Sequence, residues 1–330
     1  MTIKLVYSKT NVKYGGKYGG VPSYIANLYH DLSKEMQYHT DVKLVSLPKI
    51  ELKFRGKKYG GWKSQDILSF MVGNAHVVHS MSDSELTKYS TVVTIHDIYP
   101  LTLDIFKDIS QEERERRIGK LKTIYKNNVQ VVVQTNEIAK DIRNFIPDAD
   151  ITVIPSKIFT GTPTLNPYPS DGKLHLVTMG EINLNHPNRK QIYELYDWVK
   201  DLDNVELYHI GFIENPKYIN YAKNIHQLGY VSPEDKWNYL AYADKFVFKT
   251  LGEGQGYPVM EAMRLGTQVL INDLPEHREL LGDYFPLYYH DKEEFIEKMW
   301  YPPRSGMIEQ IRQYDNWIEK YKKVYGYVIK

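Results

Sequence analysis

The chain has 330 residues, 42 lysines and arginines against 41 aspartates and glutamates, a formal net charge of +1, and no cysteine. That length exceeds what one core usually organises, so two domains are expected, and the balanced charge removes any global attraction to nucleic acid. The lack of cysteine excludes disulfides, a thiol nucleophile and a thiolate-bound metal, and it fits a reducing cytoplasm.

The first apolar stretch, residues 3–7, reads as a short strand without the charged start and long apolar run of a secretion signal. No segment approaches the ~18 apolar residues that a membrane span needs, so a cytoplasmic location is expected. A loop with four glycines follows (residues 14–20), and then an amphipathic helix from Val21 or Ser23 whose inward stripe is Ile25, Leu28 and Leu32. Short apolar runs at 42–47, 76–79, 92–96, 129–134 and 151–154 alternate with helical patterns or polar loops. That alternation predicts a parallel sheet with helices on both faces.

Residues 49–63 carry Lys49, Lys53, Arg55, Lys57, Lys58 and Lys63 against Glu51 alone and read as a solvated loop. Gln111 to Lys126 reads as a helix with Ile118, Leu121 and Tyr125 inward and a basic, internally ion-paired outer face. Both basic stretches leave peripheral contact with an anionic membrane surface as a second reading. Thr94-Ile95-His96-Asp97 closes a strand, which places His96 and Asp97 at the carboxyl edge, where open α/β sheets bind ligands.

Residues 156–172, rich in Pro, Thr, Ser and Gly, read as an interdomain linker. A second sheet is predicted from 173–179, 205–210, 227–231, 246–248 and 268–271, with helices at 189–202, 216–223 and 233–242 and one long final helix at 305–327. The expected domains are 1–160, 161–304, and a C-terminal helix at 305–330.

The most informative stretch is Asp244 to Glu279: a strand, a turn with Gly254 and Gly256, a helix from Pro258 to Leu265 and another strand. Proline suits the first helical position, and Gly266 suits the left-handed position past the helix end. A glycine turn lets backbone approach a ligand, and the helix start offers amides and partial positive charge, so the unit can cradle phosphate. Glu253 and Glu261 stand on either side of that cradle, each able to accept hydrogen bonds from sugar hydroxyls.

The window Glu253-Gly-Gln-Gly-Tyr-Pro-Val-Met-Glu261-Ala-Met-Arg-Leu-Gly-Thr-Gln-Val resembles the signature of the retaining glycosyltransferases of family four. The resemblance implies an α/β protein of the GT-B fold: two facing Rossmann-like domains with parallel sheets and a cleft between them, the last helix crossing back to the N-terminal domain. It implies that Glu253 contacts the transferred sugar, the amides of Gly254, Gln255, Gly256 and Tyr257 the diphosphate, and Glu261 the ribose. It also implies that Gly19 and Gly20 approach the donor phosphates or acceptor, and that His96 reaches the donor sugar as a second catalytic residue.

One departure stands out. The family has arginine after the glycine matched by Gly180 and a lysine shortly beyond, whereas here Glu181 follows. Neutralisation of a leaving diphosphate is therefore assigned to Arg189, Lys190 or Lys249. With no Asp-x-Asp string near a strand end, no metal and no cofactor are expected.

The expected activity is retaining, metal-independent transfer of a hexose from a UDP- or GDP-linked sugar to a carbohydrate, lipid-linked or protein hydroxyl. The rivals are a nucleotide-sugar 2-epimerase of the same fold and a sugar-nucleotide-binding module without turnover.

Overall fold

The computed structural model describes residues 2–8, 20–35, 41–47, 52–54, 57–59, 72, 75–182, 189–302 and 307–328. The chain divides into two compact units: Met1–Leu101 with Ile109–Ser156 and Asn316–Lys330, and Thr102–Asp108 with Lys157–Asp315.

Unit 1 runs β1 (Thr2–Ser8), α1 (Gly20–Glu35), β2 (Asp41–Leu47), β3 (Leu52–Phe54), β4 (Lys57–Tyr59), β5 (Val77–Ser80) and β6 (Val92–Thr94). The turn α2 (Tyr99–Thr102) leads on to α3 (Gln111–Lys126), β7 (Gln130–Val133), α4 (Asn136–Arg143) and β8 (Ile151–Val153). Among the described residues the sheet order is β2-β1-β5-β6-β7-β8, with every pair parallel. Strands such as Val77–Ser80 and Gln130–Val133 are buried along their whole length, as a sheet covered on both faces requires.

Ser110 caps α3 by accepting from the Glu113 amide at 3.1 Å, and Glu113 in turn binds both Arg116 and Arg117 at 2.7 Å. The basic face of this helix is thus partly neutralised by its own first turn. Inside the segment read as a loop, β3 and β4 pair as an antiparallel hairpin, and the rest of residues 49–63 lies outside the described residues.

Unit 2 runs β9 (Leu174–Met179), α5 (Ile192–Val199), β10 (Val205–Ile210), β11 (Ile225–Gly229), α6 (Pro233–Tyr242), β12 (Lys245–Phe248) and α7 (Tyr257–Arg264). It continues with β13 (Val269–Asn272), α8 (Pro275–Leu281), β14 (Tyr288–Tyr289), α9 (Lys292–Lys298) and α10 (Met307–Arg312). Its sheet, again parallel, has the order β11-β10-β9-β12-β13-β14. α6 begins where expected because Ser232 accepts from the Asp235 amide at 3.0 Å with Pro233 in the first turn.

Three expectations are corrected. The helix predicted from residue 189 starts at Ile192, because residues 189–191 pair with the chain after β12. The helix predicted at 216–223 is a single 3-10 turn, Pro216–Tyr218. Asn215 and Asn220 side chains accept from the Lys217 and Ala222 amides there, local bonds that compete with helix propagation.

The last of the three concerns the final helix, which is two helices. α10 belongs to unit 2, and α11 (Trp317–Val328) belongs to unit 1. A turn separates them, closed by the Asp315 amide on the Arg312 carbonyl at 3.0 Å, with Asp315 held by Arg264 at 3.1 Å.

Within unit 1, α11 buries Trp317, Ile318, Tyr321, Val324 and Tyr325. Trp317 Nε1 donates to Asp31 of α1 at 3.0 Å. The Tyr325 hydroxyl lies 2.9 Å from His79 Nδ1, and His79 Nε2 lies 2.8 Å from the Thr94 hydroxyl. Tyr24 of α1 completes this buried chain, contacting Thr94 at 2.8 Å and the Tyr321 hydroxyl.

Candidate active site

The carboxyl edge of the unit 2 sheet gathers charge around β12. Lys190 and Thr250 form an antiparallel bridge, flanked by the Gln191 amide on the Lys249 carbonyl at 3.0 Å and the Leu251 amide on the Arg189 carbonyl at 2.9 Å. This short crossing carries two cations to the strand end. Gly180 lies against it at the end of β9, where a Cβ would sit 2.6 Å from Lys190 Cδ and displace the lysine side chain. The Lys190 ammonium stands 5.2 Å from the Phe248 ring centroid, and burial lowers its pKa.

Arg189 ties down the turn before α7. Its Nη1 donates to Glu253 Oε1 at 2.9 Å and to the Gly252 carbonyl. The Thr250 hydroxyl lies 3.3 Å from the same carboxylate oxygen. Thr250 is itself clamped by Asn272, which accepts from its amide at 3.1 Å and donates to its carbonyl at 2.8 Å. Glu253 is buried, which alone would raise its pKa, yet Arg189, Lys190 and His277 together hold the carboxyl below the ordinary range. It is an anion at neutral pH.

Glu261, inside α7, is equally buried and pairs with Lys236 of α6 at 3.0 Å; here burial outweighs Lys236 and Lys190, and the pKa is raised. Lys190 acts electrostatically on both carboxylates, so one ammonium links the two glutamates. Gly256 takes φ 75° at the cap of α7, a left-handed conformation that a side chain would strain. Residues 254–257 therefore turn sharply into the helix with their amides at its start.

Lys249 takes a different direction. Its ammonium binds Gln191 at 2.6 Å and Glu194 of α5 at 3.0 Å. Of the three cations assigned from sequence, Arg189 and Lys190 gather at Glu253, and Lys249 is engaged with α5.

Sequence reasoning missed Lys236, Thr250, Asn272 and His277. His277 Nδ1 donates to the Asn272 carbonyl at 2.7 Å, so Nε2 carries the lone pair, and among the described residues Nε2 has no hydrogen-bond partner. Only the five-residue step from Asn272 to His277, across the start of a helix, could have hinted at this contact. Nearby, Gly211 at φ 147° packs on the Gly180 carbonyl, to which His209 Nε2 donates at 2.6 Å.

In unit 1, His96 lies two residues past β6, at the carboxyl edge. Its Nε2 donates to the Met81 carbonyl at 2.9 Å, and Tyr24 meets its ring edge-on at 5.0 Å. Burial lowers its pKa against the opposing effects of Met81, Asp83 and Gln134, so it is neutral at pH 7. Gly20 opens α1, while Gly19 lies outside the described residues. Among the described residues, no cluster of three or more His, Cys, Asp or Glu is arranged to hold a metal, and no helix is long and apolar enough to cross a membrane.

Residues 173–301 match the model of the family described as glycosyl transferases group 1. No curated protein matches the chain by sequence. Among solved structures, sucrose-phosphate synthase from Thermosynechococcus elongatus superposes with a TM-score of 0.69 at 16% identity, covering 99% of both chains. WaaG, a glycosyltransferase involved in lipopolysaccharide biosynthesis, gives 0.62 at 12% identity over 99% of this chain and 95% of its own. Anabaena HepE in complex with UDP and glucose gives 0.60 at 13% identity over 100% and 93%. The α/β architecture of two parallel six-stranded sheets is thus that of the GT-B fold.

Proposed function

We propose, taking unit 2 as the donor half of a group 1 glycosyltransferase, that this chain transfers a hexose with retention from a nucleotide-diphosphate sugar to an acceptor hydroxyl. The observation that carries this reading is the convergence of Arg189 and Lys190 on buried Glu253 at the start of α7. Two of the site's cations are matched by carboxylates: Arg189 by Glu253, and Lys236 by Glu261. A sugar nucleotide supplies the complementary set, with phosphate oxygens for the cations and hydroxyls for the carboxylates. Binding is therefore an exchange of partners, Arg189 turning to the diphosphate and Glu253 to the sugar.

In this reading, Arg189, Lys190 and the amides of residues 254–257 stabilise the charge that builds on the departing diphosphate. Their effect is large because burial excludes water and lowers the local dielectric. Glu253 stabilises the cation-like anomeric carbon, and the acceptor attacks from the face the diphosphate leaves, which preserves configuration. These protein cations make the reaction metal-independent. Glu261 and Lys236 hold the ribose, and neutral His96 serves as a hydrogen-bonding partner of the sugar. The likeness to HepE, whose structure contains UDP and glucose, puts UDP-sugars first and GDP-sugars second among donors to test. Carbohydrate, lipid-linked and protein hydroxyls are the acceptor classes.

Calorimetric titration with a panel of nucleotide sugars tests the reading. One donor binding at micromolar Kd, with binding lost in Arg189→Ala, supports it; no binding across the panel overturns it. Conversion of a bound donor in the absence of acceptor identifies an epimerase instead.

A further inference from the structure

The β12–β13 ladder pairs Phe246 with Val269, Val247 with Leu270 and Phe248 with Ile271, and ends there. Just beyond it, a side chain takes over from the backbone. The Asn272 amide accepts from the Thr250 N–H at 3.1 Å and donates to the Thr250 carbonyl at 2.8 Å, the two bonds that a facing peptide group would make. A side-chain amide carries a donor and an acceptor on one carbon, and the two contacts fix which end is oxygen. Asn272 is itself held, since its carbonyl accepts from His277 Nδ1 at 2.7 Å and its backbone pairs with Tyr289 of β14. On the opposite side, residues 189–191 hold the chain through the Leu251 amide on the Arg189 carbonyl and the Gln191 amide on the Lys249 carbonyl. Those bonds use the neighbours of Thr250, whose own buried N–H and C=O are met by Asn272.

The Thr250 side chain passes this constraint on. Its hydroxyl lies 3.3 Å from Glu253 Oε1 and 3.0 Å from the Gly252 carbonyl, so the residue that Asn272 fixes touches both the Glu253 carboxylate and the turn that carries it. We propose that Asn272 is a positioning residue for Glu253, acting through Thr250: its amide prolongs the sheet by one rung, and the turn at residues 250–253 takes its place from that rung. The proposal rests on the reading of Glu253 as the group beside the transferred sugar. Arg189 binds the same carboxylate, but through a long side chain for which the diphosphate competes. Asn272 and Thr250 take no part in that exchange and hold the turn throughout it. Two uncharged residues thus set the geometry while the cations handle the charge. Such placement matters because a shift of about 1 Å at a reacting group costs on the order of 10²-fold in rate.

Two measurements test it, the first without any ligand. Amide hydrogen exchange compares the wild type with Asn272→Leu, which keeps the bulk and removes both bonds. The amides of Thr250, Leu251 and Gly252 should exchange roughly 10–10²-fold faster, as the loss of two buried hydrogen bonds requires, while those of Val247 and Phe248 keep their wild-type rates. Acceleration confined to the Thr250 amide overturns the proposal, because the turn then holds itself. Acceleration spread equally through β12 overturns it too, as a general loss of stability. If Asn272→Leu does not fold, Asn272→Ala is read by the same comparison. The second measurement uses Thr250→Val, which keeps both backbone bonds to Asn272 and lacks the hydroxyl, with UDP-glucose and GDP-mannose as probes. Release of UDP or GDP, with water as the acceptor, should show kcat lowered roughly 10–10²-fold at a donor Kd within about threefold of the wild type, and Thr250→Ser should restore it. Equal losses in kcat and affinity, or an unchanged kcat, overturn the proposal. Failure of both probes with the wild type counts instead against the nucleotide-sugar reading, and hydrogen exchange still decides whether Asn272 holds the turn.

Discussion

Glu253 and Glu261 have the same side chain and the same burial, and their surroundings assign them different tasks. Glu253 is held ionised by two cations, so Glu253→Gln should cut kcat by roughly 10²–10³ with a much smaller effect on donor Kd; steady-state kinetics beside calorimetry separate the two, and equal losses would count against a transition-state role. Glu261→Ala leaves the Lys236 ammonium buried without its carboxylate and should cost about 3 kcal/mol in urea unfolding besides weakening donor binding. Gly211→Ala would set a Cβ 1.9 Å from the Gly180 carbonyl oxygen at φ 147°, so a loss of roughly 3 kcal/mol or outright failure to fold is expected on thermal denaturation. Both glutamates were legible because their turn and helix are contiguous in sequence. The arginine that meets Glu253 lies 64 positions away, and no local pattern encodes such a contact.

Elements were readable where their ends carry chemistry. Pro233 and Pro258 marked two helix starts, the second of which begins one residue earlier at Tyr257, and apolar runs marked every strand of the unit 1 sheet and five of the six in unit 2. Arg189-Lys190-Gln191 has good helix formers, yet pairing with residues 249–251 prevails, since a tertiary hydrogen-bond partner outweighs a propensity of tenths of a kcal/mol, on the order of 0.5. The strand β14 and helices α8 and α9 were not anticipated. There, His290 bridges Asp273 and Glu294 at 3.0 Å each. Its pKa is raised by Glu294 first, against slight desolvation, with Asp273 adding to the effect. The stabilisation is full below pH 6.5 and fades as pH rises through the elevated value. Because the ring is largely exposed the effect is small, and it should appear as a urea midpoint falling more between pH 6 and 8.5 in the wild type than in His290→Ala.

Across the whole molecule, the chain builds most of unit 1, then unit 2, and returns to unit 1 with α11. The return is fastened by His79, which burial keeps neutral by lowering its pKa to about 3. The unfolded chain binds a proton near pH 6.5 that the folded chain refuses, so this linkage removes stability as pH falls from 6.5 towards 3, opposite in sign to His290. Urea unfolding at pH 7 and pH 5 should show a smaller pH dependence for His79→Gln than for the wild type. The apolar positions of α11 were visible from sequence; the turn that divides it from α10 was not, because its Arg264 anchor is 51 residues upstream of Asp315. During synthesis, which proceeds from the amino end, residues 1–156 leave the ribosome long before Trp317 does. The first half to be made is thus the last able to complete its interior, and until then Tyr24, His79 and Thr94 lack the aromatic side chains that cover them.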